Sequence, residues 1–453
     1  MCAELLITTP VNGSEIAGDP LALLRAAAPR EFFQDMRRVS GKRAEGGVYT
    51  AEVTIWLMVR QRLDSKGTLS IAVQEVLEGR PQAWLPDHKR LQEETLSPNT
   101  GAYSRARARL SREVSEQVAE RVFQYLIADV PEALPGLGCR AFLLDGSSLD
   151  LPDTPQLRQT YPPAHNQHGP AHWPMVRIVV AHDLVSGLAM PPCWGPMYGE
   201  QAVSEQQLAA TGMGQLPKGS VVVADRNFGV FSTAFDGHRQ GYGMVVRLTG
   251  VRARALLKGK LPSQTDQWID WKPSRWDRRR HPDLPPDASV RGRVIACQVW
   301  NRGHLIQLYF FTTLTLPVVQ IAELYGYRWN IETDLRSLKQ TVRLHSLTAR
   351  SVDMVAKELV LGVAAYNLVR ATMYAAARVA GMDPRQLSFS RVQDVVNASL
   401  PNLMAADSPA AHQRLLDRML RRAAQCKLPQ RQRRAYPRAV WPRRQSYPRR
   451  RSP

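Results

Sequence analysis

From Arg140 the sequence becomes a succession of short β-branched and apolar runs, AFLLDG, MVRIVVAHD, GLAMPP, SVVVAD, YGMVVRLTG and later LIQLYFFTT, each bounded by turn-forming residues. The spacing of these runs restricts the fold more than any other feature. The first three follow closely enough to form a meander, with His182 to Gly187 as one turn. The fourth and fifth are each reached through a helix-length segment, Val203 to Met213 and the stretch after Arg226. Tight turns join antiparallel neighbours and crossovers join parallel ones, so the pattern predicts a mixed α/β sheet.

On either side of this region the texture differs. From about Phe32 to Ala128 apolar residues recur at helical spacing, with breaks at Gly79, Pro81, Pro86 and Pro98, which predicts an α-helical region. Thr68 to Glu78 reads as a capped helix closed by Gly79, and a second helix begins near Asn99 and carries Arg105, Arg107, Arg109 and Arg112. Arg105, Arg109 and Arg112 are expected to share a face. That face suits a DNA groove or backbone in the manner of a helix-turn-helix, and it equally suits a solvated basic surface. Residues 250–303 are rich in Trp, Pro and Arg (WIDWKPSRWDRRRHPDLPP) and end in a strand-like RGRVIACQVW, so they read as a β-rich insertion. Ser351 to Ala380 reads as one long apolar helix.

The expected organisation is an N-terminal arm (1–31), an α-helical DNA-binding domain (32–130), a core in two parts (138–249 and 304–390) around the insertion (250–303), a C-terminal helical region (391–426) and a disordered Arg/Pro-rich tail (427–453). No internal repeat is visible.

Sixty Lys and Arg against forty Asp and Glu leave a net charge of +20, which points to a polyanionic partner, with nucleic acid ahead of a membrane surface. The excess is concentrated in the tail from Lys427, which holds one lysine, nine arginines and no acid. The five cysteines, Cys2, Cys139, Cys193, Cys297 and Cys426, form no CxxC pair, so a reducing compartment and no cysteine zinc site are expected. MCAELLITTP lacks the basic start of a secretory signal. Leu359 to Ala377, the most apolar stretch, contains Asn367 and Arg370 and reads as a buried helix rather than a membrane span. A soluble, cytoplasmic, nucleoid-associated protein is expected.

Within YGYRWNIETDLRSLK, Tyr325, Arg328, Glu332 and Lys339 fall within an arc of roughly 60° when counted at about 100° per residue. Leu324, Tyr327, Ile331, Leu335 and Leu338 fill the adjoining arc as an apolar seam. A solvated face with an Arg328–Glu332 pair accounts for the stripe, as does a working site. Arginine before glutamate is the weaker order for helix pairing, so stability alone does not demand it.

Two aspartates stand at or just past the ends of predicted strands, Asp145 in AFLLDGSS and Asp225 in SVVVADRNFG. Strand ends are where α/β sheets expose chemistry, although either aspartate alone reads as a turn former. With Glu332 they make a set of hard oxygen donors suited to two Mg²⁺ ions, with Mn²⁺ as a substitute. Such a pair activates an attacking water or hydroxyl and stabilises the leaving oxygen of a phosphodiester displacement. Arg328 and Lys339 would then hold phosphates, with Tyr325 hydrogen-bonding to one.

These residues carry a resemblance. Tyr325, Arg328, Glu332 and Lys339 fit the Tyr-x2-Arg-x3-Glu-x6-Lys signature of DDE transposases of bacterial insertion sequences, in the IS-four branch. DGSSLDLPDT and VVVADRNFG look like the family's first and second aspartate motifs, and WPMVRIVVAHDLVSGL like its second and third strands. The resemblance runs from about Phe32 to Phe389. It implies a ribonuclease-H-like core interrupted by a β-rich insertion, metal binding and catalysis by Asp145, Asp225 and Glu332, and DNA contacts by Tyr325, Arg328 and Lys339. It further implies a homodimer in the synaptic complex that cuts the element out at its terminal repeats and pastes it into target double-stranded DNA. Where the best-known members place a base-stacking tryptophan, this chain has Leu308 or Tyr309, so a hairpin intermediate is not implied.

Other candidates compete. Trp268, Trp271, Trp276 and Trp300 suit either base stacking or a core role. His165, His168 and His172 lie in a loop without a partner set for zinc. Asp150 and Asp153 lie past the strand end, and Asp183 suits a turn. Two rival functions remain, a DNA-binding relative that does not cut and a nuclease of the same fold without strand transfer.

Overall fold

The computed structural model describes residues 18–429 apart from residues 41–46, 65–66, 83, 132–136, 167–168 and 302–303. All but the first three residues of the basic tail, and His168, lie outside the described residues.

Eight strands form one mixed sheet: β1 (Ala141–Asp150), β2 (Met175–Asp183), β3 (Cys193–Pro196), β4 (Val221–Ala224), β5 (Gly243–Arg247), β6 (Thr265–Trp271), β7 (Val290–Asn301) and β8 (His304–Thr312), in the order β3-β2-β1-β4-β5-β8-β7-β6. The meander β1-β2-β3 is antiparallel, β4 and β5 join β1 in parallel, and β8, β7 and β6 continue antiparallel. This is a ribonuclease-H-like core. Chemistry follows topology here: β4 has the sequence VVVA and is buried on both faces, as a central parallel strand must be. Helices Glu205–Met213 and Phe231–Arg239 make the crossovers into β4 and β5. Residues 250–303 supply β6 and β7, which extend the same sheet.

The third strand departs from expectation. GLAMPP forms only a bridge, His182 with Ala189, and regular pairing begins at Cys193, because Pro191 and Pro192 bring no N–H to a ladder.

Helix Val352–Val379 runs through the body, capped by the Ser351 side chain, which accepts from the Met354 N–H at 3.3 Å. Helices Ala51–Leu63 and Arg112–Ala128 pack against it, as does Pro20–Ala27 within the expected N-terminal arm. Its buried polar groups are paired. Glu358 accepts from Arg62 at 2.6 Å and from Arg107, Lys357 donates to the Arg107 and Ala108 carbonyls at 3.2 and 3.3 Å, and Asn367 pairs with both backbone groups of Ala189. Such groups are tolerated inside only with partners of this kind. Among the described residues no helix is long and apolar enough to cross a membrane.

Candidate active site

Pairing between β1 and β4 runs in parallel up to Leu144 opposite Ala224, so Asp225, just past the end of β4, lies beside Asp145, which does not end its strand as expected: β1 runs on through Asp150, paired with β2 alone. Adjacent strands lie about 5 Å apart, which brings the two carboxyls to one edge of the sheet. Burial pushes the Asp145 carboxyl up to about 6, and Asp225 and Glu205 push in the same direction. Opposing them are the Gly146 N–H, which donates to Asp145 Oδ1 at 2.8 Å, and Arg328.

Arg328 connects this edge to the third acid. Its Nη1 lies 4.0 Å from Asp145 Oδ2 and its Nη2 lies 3.5 Å from Glu332 Oε1. The Arg328 side chain is only 13% exposed, whereas Glu332 is 48% exposed. Beneath the guanidinium lies the Tyr325 ring (5.9 Å), and the largely exposed Trp329 ring flanks it (5.0 Å). Lys339 enters from the other side and donates from Nζ to Ser147 Oγ at 3.1 Å. Ser147 is two residues beyond Asp145 on β1, hence on the same face of the strand.

The continuous helix expected over residues 325–339 is not what forms. Helix Val318–Gly326 stops, a tight turn follows, and helix Trp329–Arg336 resumes before a π-helical turn, Ser337–Thr341. Across the junction the N–H groups of Arg328, Asn330 and Ile331 donate three residues back rather than four. Three residues per turn replace 3.6 there and more than four per turn follow at the π turn, so a ruler of 100° per residue fails at both. Tyr325 accordingly leaves the stripe. It is buried, its ring 4.8 Å from Phe310, and burial raises its phenol above the usual range.

The cleft helix is tied from behind. Asp334 is fully buried and accepts from Arg385 Nη1 at 2.6 and 2.8 Å and from Arg370. Burial alone would raise this carboxyl, but Arg385, Arg370 and His182 hold it below the usual range. His182, 4.0 Å from Asp334, is kept neutral by burial, which lowers it to about 4. Asp183 forms the expected turn, accepting from the Ser186 N–H at 2.8 Å and its hydroxyl at 2.7 Å.

The basic face of the N-terminal helices is smaller than expected. Helix Gly101–Arg109 ends as Leu110 turns into the core, and Ser111 begins a new helix, so Arg112 does not share a helical face with Arg105 and Arg109. Arg112 pairs with Glu116 at 2.7 Å and covers the Trp194 ring. Arg105 and Arg109 are exposed. Of the insertion tryptophans, Trp271 is core, 4.7 Å from Phe311, whereas Trp268, Trp276 and Trp300 are exposed. Asp153 pairs with Arg158.

Among the described residues no three His, Cys, Asp or Glu side chains stand close enough together to hold a metal ion. The donor chemistry nevertheless fits a hard cation. Asp225 helps to raise the Asp145 carboxyl, and Glu332 is joined to Asp145 through Arg328.

Comparison with known proteins places these residues in context. The transposase DDE domain family matches residues 138–368. Over 432 residues, 92% of each chain, the sequence is 28% identical to the transposase InsG for insertion sequence element IS4 of Escherichia coli (strain K12). Among solved structures, the cryo-EM structure of the piggyBac transposase synaptic complex with hairpin DNA is similar with a TM-score of 0.44 and 11% identity, covering 89% of this chain and 85% of that one.

Proposed function

The chain belongs to the DDE transposase family, and on that premise we propose that it binds the terminal repeats of its own insertion sequence, cuts the DNA there and joins the ends to target DNA. The observation that carries this reading is the Arg328 guanidinium set between Asp145, beside Asp225, and Glu332.

Asp145, Asp225 and Glu332 would hold the divalent metals, Mg²⁺ with Mn²⁺ as a substitute, and those ions when bound supply a potent nucleophile and stabilise the leaving oxygen of a phosphodiester. The chain's own cations bind and orient the DNA. Arg328 offers a planar fork for a phosphate, held by the Tyr325 and Trp329 rings. Tyr325 acts through Arg328 from beneath. Lys339 places a second cation over the face of β1 that carries Asp145, so the backbone is gripped on two sides of the reacting phosphate. Arg105 and Arg109 extend the contact along the helical region at 32–130, and two copies act together, one for each end of the element.

The test is incubation of purified protein with Mg²⁺, a DNA carrying both boundaries of its own gene, and a supercoiled target. Boundary cuts followed by joined products support transposition. Cuts without joining indicate a nuclease, and binding without cuts indicates an inactive relative.

A further inference from the structure

The second aspartate sits in an exposed turn, and what fixes that turn is the start of a different helix. Helix Glu205–Met213 is begun by a capping box: the Ser204 hydroxyl accepts from the Gln207 N–H at 3.2 Å, and the Gln207 side chain accepts from the Ser204 N–H at 2.8 Å. Its first two residues are therefore held rigidly, and both reach Asn227. The Asn227 amide Nδ2 donates to Glu205 Oε2, and Gln206 Nε2 donates to the Asn227 carbonyl at 2.7 Å and to its Oδ1 at 3.2 Å. Donor and acceptor ends of the amide are thus each assigned, which leaves it one orientation. The Asn227 backbone N–H in turn donates to Asp225 Oδ1 at 2.8 Å.

Glu205 also crosses the neighbouring strand end. A Cβ built on Gly146 would lie 2.6 Å from Glu205 Oε1 and 2.7 Å from its Cγ, too close for any real contact. The residue after Asp145 therefore has to be glycine while Glu205 keeps its place.

We infer that Glu205, with Gln206, is a positioning residue that aims Asp225 through Asn227, so that one helix start sets the second aspartate relative to the first. This inference rests on the assignment of Asp225 to the active site. With Oδ1 engaged by the Asn227 N–H, Oδ2 is left for the cleft, and loss of the amide clamp releases both.

Exchange of hydrogen-bonding roles tests it. Asn227→Asp sets a carboxylate against Glu205, two acceptors with like charge, whereas Asn227→Asp with Glu205→Gln restores one donor and one acceptor. Boundary cleavage by Asn227→Asp is expected to fall about 100-fold in kcat, the scale of a displaced catalytic group. Affinity for end DNA and the melting midpoint should stay unchanged, and the double variant should recover at least about tenfold. Gly146→Ala, which displaces the Glu205 side chain, should show the same kcat loss. The inference is overturned if Asn227→Asp cuts like wild type, if the double variant is no better than Asn227→Asp, or if Glu205→Gln alone is as inactive as Asp225→Ala, which would make Glu205 a participant by charge. Asp225→Ala in the same assay separates the two levels: full activity there removes the active-site assignment itself, whereas its inactivity beside a normal Asn227→Asp removes only the clamp.

Discussion

The Arg328 guanidinium lies 4.0 Å from Asp145 and 3.5 Å from Glu332, and so joins an aspartate of the central strand β1 to a glutamate on a helix distant in sequence. Its planar fork and two aromatic neighbours suit a phosphate better than a lysine would. Arg328→Ala is expected to reduce boundary cleavage by about 100-fold, and Arg328→Lys to recover only part of it. Circular dichroism should show both variants folded; loss of the folded state in both would return the residue to a structural role.

Among the described residues the Lys339 Nζ donates to Ser147 Oγ, and its charge faces no carboxylate there, which suits it to DNA. Lys339→Ala should weaken end binding evenly across sequences and lower the slope of log affinity against log salt by about one. Ser147→Ala should leave that slope alone. An unchanged slope for Lys339→Ala would detach the residue from phosphate.

Asp334 holds the cleft helix against Arg370 and Arg385 from inside the protein. Asp334→Ala leaves the buried Arg370 and the partly buried Arg385 without this counter-charge, for a loss of about 3–5 kcal/mol in denaturant unfolding. A loss below about 1 kcal/mol would mean that this network does not fix the helix.

His182 adds a pH dependence whose sign follows from burial. Its folded value of about 4 lies below the unfolded value, so the unfolded chain binds more protons between them. Stability is therefore fully present above about pH 6.5 and is lost as pH falls toward 4, by as much as about 3 kcal/mol. His182→Gln should flatten the melting midpoint across that range, and an equally steep decline in the variant would assign the effect elsewhere.

Much of this site is legible in the sequence, for identifiable reasons. A β-branched run ending in aspartate makes Asp145 and Asp225 stand out; it marks a strand end at Asp225 but not at Asp145, where β1 runs on to Asp150, and the parallel register of β1 and β4 puts the two side by side. Helical spacing also finds Glu332 and the buried seam of Leu324, Ile331, Leu335 and Leu338, but it misplaces Tyr327, which is 40% exposed at the turn between the two helices. The ruler fails where hydrogen-bond spacing changes, so Tyr325 turns inward and Lys339 reaches β1 by a π turn. The same ruler joins Arg112 to Arg105 and Arg109, and Leu110 breaks it by turning into the core. Glu205 and Asp334 give no local signal. One looks like an ordinary first-turn acid and the other like a surface aspartate, and only tertiary contacts distinguish them.

Asp145, Asp225 and Glu332 are expected to serve one reaction. Boundary cleavage with Mg²⁺ by wild type, Asp145→Ala, Asp225→Ala and Glu332→Ala, each verified as folded and as binding end DNA, tests it most directly. Wild type is expected to cut at both boundaries, and each variant to bind the ends but lose cleavage by at least about 1000-fold. Equal cutting by any folded variant would contradict it.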